Sequence, residues 1–394
     1  MIKTIISLVI GSAMTISVAM ADEVKIGILM AFTGPIESLA PSIAKGGELA
    51  IAEVSESGQF LGGKTVVPVR ADSTCVDAAA ATAAAERLIT SDGVSAINGA
   101  NCSGATTAVL NNVALPNGVV MISPSATSPA LSDIEDGGLF FRTAPSDARQ
   151  GQIMANILGN RGIGSVAVTY TNNDYGKGLA DSFQSAFEAA GGSVTISASH
   201  EDGKADYSAE VASLAAAGGE VLVVAGYLDQ GGRGVIQASL DSGAFDRFML
   251  PDGMVGDSLT DAFGADLNGS FGTRPGTDSP GASMLNELAG SDFDSSGPYV
   301  AEAYDASALI LLAMQSAGSA SSADFKGHVE KVANAPGEKI HPGELAKALK
   351  IIMEGGDVDY VGASAVELIG PGESSGSYFE FEVVDGKFAK VGNH

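Results

Sequence analysis

Short apolar runs alternate with alanine-rich stretches almost from one end of this 394-residue chain to the other. That rhythm admits little besides an α/β fold. Strands are expected over 24–30, 66–70, 94–97 and 119–122, with helices near 42–53 and 77–91 between them. Pro68 suits a strand at a sheet edge better than one at its centre. After Arg142-Thr143-Ala144-Pro145 the rhythm restarts, with a helix capped by Ser146 or Asp147 and running to about 159. Strands over 165–170, 193–196, 221–224 and 248–250 then alternate with further helices.

The second series repeats the first without visible identity, which describes two lobes of one architecture better than a repeat array. A chain of this length also suits two cores. Beyond Thr273-Arg274-Pro275 come long helices over 297–316 and 342–354, the first apolar nearly all round and so expected to be buried. A strand over 378–384, the Asp385-Gly386 turn and a second strand over 388–391 make a final hairpin. Interlobe crossings fall near 143, 274 and 372. They assign 22–143 and 275–371 to a first lobe, 144–274 and 372–394 to a second.

The beginning of the chain reads as an export signal. Lys3 precedes an apolar run over 5–18, and Ala19-Met20-Ala21 is a small-x-small cleavage site. The run is shorter than the roughly 18 apolar residues of a membrane span. Residues 1–21 are therefore expected to be a signal peptide cleaved after Ala21, releasing a soluble periplasmic protein. A net charge of −26 argues against nucleic acid and anionic membranes as partners. The two cysteines, Cys75 and Cys102, are either a disulfide of an exported protein or two buried thiols. As a disulfide they would contribute about 3–4 kcal/mol by closing the loop between them. The four histidines are scattered and expected at the surface, so no metal site is expected, nor any cofactor.

Two polar stretches follow closely on apolar runs: Asn101-Cys102-Ser103-Gly104, and Ser123-Pro124-Ser125-Ala126-Thr127. If the runs are parallel strands, their C-terminal ends present hydroxyls and free backbone amides to one crevice, where open α/β sheets bind ligands. Such donors suit a small anionic group, a carboxylate for example. Asp252 in Leu250-Pro251-Asp252-Gly253 is either a turn residue or a counter-ion for a ligand ammonium. Tyr175 and Tyr227 are either core aromatics or walls of the site. Thr33-Gly34-Pro35 is a plain turn or a loop that brings Ile36 and Leu39 to the ligand.

Catalytic patterns do not hold up. Gly372-Glu-Ser374-Ser-Gly376 has the nucleophile-elbow spacing with no helix after it. Ser42-Ile-Ala-Lys45 lacks the partner motifs of a Ser-Lys hydrolase, and there is no phosphate-binding glycine loop. Ser103 as an amidase nucleophile has no evident base. No enzymatic activity is expected.

Taken in order, Lys25-Ile-Gly-Ile28, Phe32-Thr-Gly-Pro35, Asp72-Ser-Thr-Cys75, Cys102-Ser103, Ile122 to Thr127, Asp174-Tyr-Gly-Lys-Gly-Leu179, Gly226-Tyr227, Pro251-Asp-Gly253 and Tyr304-Asp-Ala306 carry a resemblance. The chain resembles the leucine/isoleucine/valine-binding family of periplasmic substrate-binding proteins over nearly its whole mature length. The resemblance implies a Venus-flytrap α/β protein, two mostly parallel sheets flanked by helices and joined by three crossings. It implies a monomer that captures a small amino acid and delivers it to an ABC transporter membrane permease. It also implies that Ser103 and Thr127 hold the ligand carboxylate, helped by backbone around Ser125 and Ala126. Asp252 would hold the ammonium with groups near Ser125 and Tyr227, Tyr175 and Leu39 would border the ligand, and Cys75 would pair with Cys102. Three positions depart from the family pattern: Asp252 where glutamate is usual, Leu39 where an aromatic is frequent, and Ser125 where alanine or glycine is common. They leave open which amino acid binds, and the same fold would serve a sensor of a small amide or carboxylate docking on a membrane receptor.

Overall fold

The computed structural model describes residues 23–394, so the expected signal peptide lies outside the described residues. Strands Glu23–Met30 (β1), Thr65–Asp72 (β2), Ala96–Gly99 (β3), Val120–Ser123 (β4) and Phe140–Arg142 (β5) open the first lobe. Ser165–Thr171 (β6), Ser193–His200 (β7), Val221–Ala225 (β8), Phe248–Leu250 (β9) and Phe271–Pro275 (β10) open the second. Glu338–Ile340 (β11) and Val358–Tyr360 (β12) pair in a small sheet of their own. Leu368–Ile369 (β13) and Glu373–Ser374 (β14) return to the first lobe, and Tyr378–Val384 (β15) and Lys387–Asn393 (β16) to the second.

Two seven-stranded sheets result, ordered β13-β14-β5-β4-β3-β1-β2 and β16-β15-β10-β9-β8-β6-β7. The strands that alternate with helices pair in parallel, because each helix carries the chain back over the sheet. Antiparallel pairs occur at the edges, β13 with β14, β10 with β15, and β15 with β16. Pro68 lies in β2, an edge strand, where its missing N–H costs no ladder bond on the free side.

In each sheet the strand order reverses at one place, between β1 and β3 in the first lobe and between β6 and β8 in the second. Loops leave such a point in opposite directions and open a crevice at the strands' C-terminal ends. The two crevices face each other across the interlobe cleft, which places the residues following β1, β3, β6 and β8 around one space. The end of β3 needs Gly99: at φ 132° its backbone passes so close to β1 that a Cβ would stand 2.2 Å from the Leu29 carbonyl oxygen.

The chain passes between sheets three times, after Arg142, after Pro275 and after Ser374. The last lies later than the boundary expected after 371, because 373–374 adds a short strand to the first sheet beside β5. The helix Val300–Ala317 is buried along nearly its whole length against the first sheet and the helix Ala40–Glu56. Asn98 on β3 ties it down, donating to the Ala303 carbonyl and the Ser307 hydroxyl at 2.8 Å each.

One surface expectation fails. His200 ends β7 and is 1% exposed, bonded through Nδ1 to the Thr169 hydroxyl, and burial lowers its pKa to about 4. It is a neutral core residue. Cys75 and Cys102 form a disulfide with S–S 2.04 Å, joining the loop after β2 to the start of the helix Ser103–Val109. No described helix is long and apolar enough to cross a membrane.

Candidate functional site

A small cavity between the lobes is lined from one side by Ile36, Leu39, Ile43, Asn101, Cys102, Ser103, Ser125 and Tyr299, and from the other by Tyr175, Tyr227, Asp252 and Gly253. As closed it measures about 20 Å³, room for roughly one water molecule. The lobes touch across it. The Asp229 amide donates to the Pro35 carbonyl at 3.0 Å while its carboxylate accepts from the Ser38 amide at 2.9 Å. The Asp147 amide donates to the Thr127 carbonyl at 2.9 Å.

Each wall follows from local sequence. Ser103 is the first residue of its helix, and its hydroxyl accepts from the Ser128 amide at 3.1 Å. Ser125 donates its hydroxyl to the Asn101 carbonyl at 2.8 Å, which couples the loops after β3 and β4. The expected free amides after β4 are not all free. The Ser123 hydroxyl accepts from the Ala126 amide at 2.9 Å and more loosely from the Ser125 amide at 3.4 Å. A short hydroxyl at the strand end reaches the turn before any ligand can.

Ala126 and Thr127 do not line the cavity as closed. The reason is Arg142, 1% exposed, whose Nη1 donates to the carbonyls of Ala126 and Ser128 at 3.0 and 2.9 Å. Its Nη2 donates to Ser132 and to the Glu373 carboxylate. The guanidinium thus pins the 126–132 loop to the far edge of the sheet. Thr127 stays buried behind the cavity with its hydroxyl oxygen unpartnered.

From the second lobe, Tyr175 and Tyr227 stack with ring centroids 5.1 Å apart. Tyr175 lies in the first turn of the helix Asp174–Ala189, and its phenol donates to Asp252 Oδ1 at 3.0 Å and accepts from the Gly253 amide at 3.1 Å. Gly253 is required there, because a Cβ would sit 2.7 Å from that phenol oxygen. Asp252 opens a short 3-10 turn after β9 and is 3% exposed.

Two residues that the sequence reading did not assign to the site bear on it: Tyr299 lines the cavity, and Asp147 is buried behind it near Asp252. Tyr299, held at φ 62° just before the helix Val300–Ala317, reaches across from the first lobe and donates to Asp252 Oδ2 at 2.6 Å. Asp147, weighed only as a helix cap, begins the helix Asp147–Asn160, with Ser146 as the cap. It is fully buried, and neither carboxylate oxygen makes a well-formed hydrogen bond, the Thr127 hydroxyl lying near but poorly placed. Burial pushes its pKa well up and the neighbouring charge of Asp252 adds to this, against the pull of Thr127 and Arg142. Burial also raises Asp252, offset by its bonds from Tyr299 and Tyr175. The signal for Asp147 was available: an acidic residue opening a helix directly after a crossing. Tyr299 had none, being one aromatic in a Gly-Pro-Tyr turn far along the chain.

The buried polar atoms near the cavity divide by sign. Asn101 Nδ2, a donor, has no partner, while its Oδ1 accepts from the Ala31 amide at 2.9 Å. The Asp147 oxygens, acceptors, have no well-formed hydrogen bond either. Donors on the first-lobe loops and carboxylates from the second lobe match the two ends of a zwitterion, and the rings and aliphatic side chains match an apolar remainder. Among the described residues no group of histidines, cysteines and acids could hold a metal ion.

The family model for the periplasmic binding protein matches residues 23–339. Over 316 residues the chain is 30% identical to the leucine-specific-binding protein of Salmonella typhimurium, covering 79% of this chain and 84% of that one. It is 31% identical over 234 residues to a Leu/Ile/Val-binding protein homolog of Brucella melitensis, covering 59% of this chain and 62% of that relative, less than two thirds of its length. The crystal structure of a leucine-binding protein from Thermotoga maritima superposes with a TM-score of 0.78 at 23% identity, covering 94% of this chain and 98% of that one. That structural likeness concerns the fold, whereas the sequence matches concern descent. The chain belongs to the periplasmic binding protein family, among the leucine/isoleucine/valine-binding proteins.

Proposed function

We propose that this protein captures a small α-amino acid with an aliphatic side chain between its lobes and delivers it to an ABC-type membrane permease. It is exported, loses its first 21 residues, and works as a monomer without catalytic activity or cofactor. The observation that carries this reading is the unanswered carboxylate of Asp147, buried next to Asp252 at the lobe interface. An ion so placed is costly alone and favourable once a cation meets it.

In the proposed complex the ligand carboxylate is received by Ser103, Thr127 and backbone at Ser125 and Ala126. The ammonium lies toward Asp252 and Asp147. Leu39, Ile36, Ile43, Tyr175, Tyr227 and Tyr299 enclose the side chain. Each lobe contributes contacts that the other cannot, so the ligand favours closure. Admitting an amino acid requires the lobes to part, since the closed cavity is far too small.

The test is thermal unfolding of the mature chain against a panel of amino acids, small amides and short carboxylates. A ligand at 100 times its dissociation constant stabilises by about 2.7 kcal/mol. Stabilisation confined to aliphatic amino acids supports the reading. A response to carboxylates or amides alone discards the ammonium role and leaves a sensor or carrier of another solute.

A further inference from the structure

At the back of the hinge lies a second cavity, about 310 Å³, separate from the interlobe site in every residue that lines it. It sits where β10 leaves the second lobe and the chain enters the helix Pro280–Ala289 of the first. Arg274 and Phe379 border it from the second lobe, and Glu302, Ser283, Asn286 and Ser364 from the first.

Three charged residues border it: Asp278 is answered by Lys390 and Asn393, whereas Arg274 and Glu302 are incompletely answered by the protein. Glu302 is 4% exposed, and its carboxylate accepts from its own backbone amide, with no side-chain donor among the described residues. Arg274 sends Nη2 to the Ser296 carbonyl at 2.9 Å and stacks its guanidinium over Phe379 and Phe381, 5.7 and 5.1 Å from the ring centres. Among the described residues no carboxylate comes within ion-pair distance of it, although Glu302 is close enough to stabilise its charge. A guanidinium has five N–H donors in a planar fork suited to a carboxylate. Burial raises the Glu302 pKa to about 7, with Arg274 pulling the other way. The hydroxyls around the rim are mostly spent, Ser364 on Asp305, Ser279 on the Ala363 carbonyl and Ser295 on Asn286. What remains is a half-buried cation and a buried anion, on opposite lobes of one cavity.

We propose that this hinge cavity is a second binding site for a small polar zwitterion, its carboxylate on Arg274 and its ammonium on Glu302. The volume exceeds what a small amino acid needs, and the walls are more polar than those of the interlobe site. Because Arg274 and Glu302 belong to different lobes, an occupant that bridges them binds one hinge angle better than others. Occupancy is therefore coupled to opening and closing, and by linkage to affinity at the cleft.

The experiment uses the mature chain carrying Asp147→Asn and Asp252→Asn, which silences the cleft, and measures radiolabelled L-serine by equilibrium dialysis up to about 10 mM. One mole of serine per mole of chain is expected. Adding Arg274→Met or Glu302→Gln should each weaken binding by at least about tenfold. Serine methyl ester and 3-hydroxypropanoate, each lacking one charge, should bind at least about tenfold more weakly than serine on the unaltered hinge, a comparison that needs no hinge variant to fold. No serine bound to the cleft-silenced chain overturns the proposal, as does binding indifferent to the hinge substitutions or to the missing charges. Failure here leaves the cleft reading untouched, because the cleft is already disabled in this protein.

Discussion

Asp147 lies close enough to Asp252 for the second charge to discourage ionisation of the first, yet only Asp252 is answered. Asp252 accepts from the phenols of Tyr175 and Tyr299, and neither oxygen of Asp147 makes a hydrogen bond as well formed. The site therefore stores an unmet electrostatic demand at the plane where the lobes meet. Folding tolerates it, and a ligand ammonium would relieve it.

Asp147→Asn should act in opposite directions on the two states. Removing a buried, unpaired carboxylate relieves a desolvation cost, so the ligand-free protein gains about 1–3 kcal/mol. Ligand binding should weaken by about 2–5 kcal/mol, the usual cost of deleting one partner of a buried charge pair. Urea unfolding and titration calorimetry on the same sample check both. A variant that loses stability and keeps affinity would remove Asp147 from the site.

Tyr299→Phe keeps the ring and deletes the proton donated to Asp252. A hydrogen bond to a charged group contributes about 1.5–3 kcal/mol, so affinity should fall by an amount of that order, with Asp252 left one donor short. Calorimetry against Tyr175→Phe, which removes the other phenol, gives the comparison. If the double variant loses no more than either single one, the two phenols do not act on Asp252 independently.

Asp229 touches no residue that lines the cavity through a side-chain hydrogen bond, yet it fastens the lobes. Its carboxylate accepts from the Ser38 amide and from the Ser258 hydroxyl, while its amide donates to Pro35. Asp229→Ala should shift the protein toward the open form and weaken ligand binding by about 1 kcal/mol. Small-angle X-ray scattering should show a larger radius of gyration without ligand and recovery at saturation. An unchanged radius in the ligand-free variant would count against the latch.

Glu302 makes stability depend on pH. Its pKa rises from an ordinary 4.5 to about 7 on folding, chiefly through burial. Between those values the folded chain holds the proton and the unfolded chain does not, so stability falls as pH rises through this window. Glu302→Gln removes that slope. Its advantage over the unaltered protein should grow from pH 5 to pH 8 toward about 3 kcal/mol, read by urea unfolding at each pH. His200, with its pKa lowered to about 4, slopes the other way in both proteins and cancels in the difference.

Much of the architecture was legible because it rests on local periodicity. The alternation of apolar runs and alanine-rich stretches marks strands and helices wherever burial repeats at the period of the element. β9 and β15 fall where the apolar runs place them, and the Asp385-Gly386 turn joins an antiparallel hairpin. Cys75 and Cys102 stood as a disulfide or as two buried thiols, and the disulfide is the one formed. Ser103 and Ser125 stood in motifs at strand ends, Tyr175, Tyr227, Leu39 and Asp252 each had a packing or turn reading beside a binding one, and all six line the interlobe cavity.

Tertiary structure alone decided the rest, for a physical reason common to each case. Whether an amide after β4 is free depends on where the Ser123 hydroxyl points, and whether Thr127 reaches the cavity depends on Arg142 holding its loop. His200 is buried because a second lobe's helices close over the end of β7, which no local pattern around a histidine records. Tyr299 meets Asp252 from 47 residues away, and Glu302 faces Arg274 only because the chain crosses the hinge between them. The sequence by itself determines which segments become strand and helix, and which residue types stand at their ends. Which charges end up answered is set by long-range packing, since a buried carboxylate is defined by the donors that other segments bring to it.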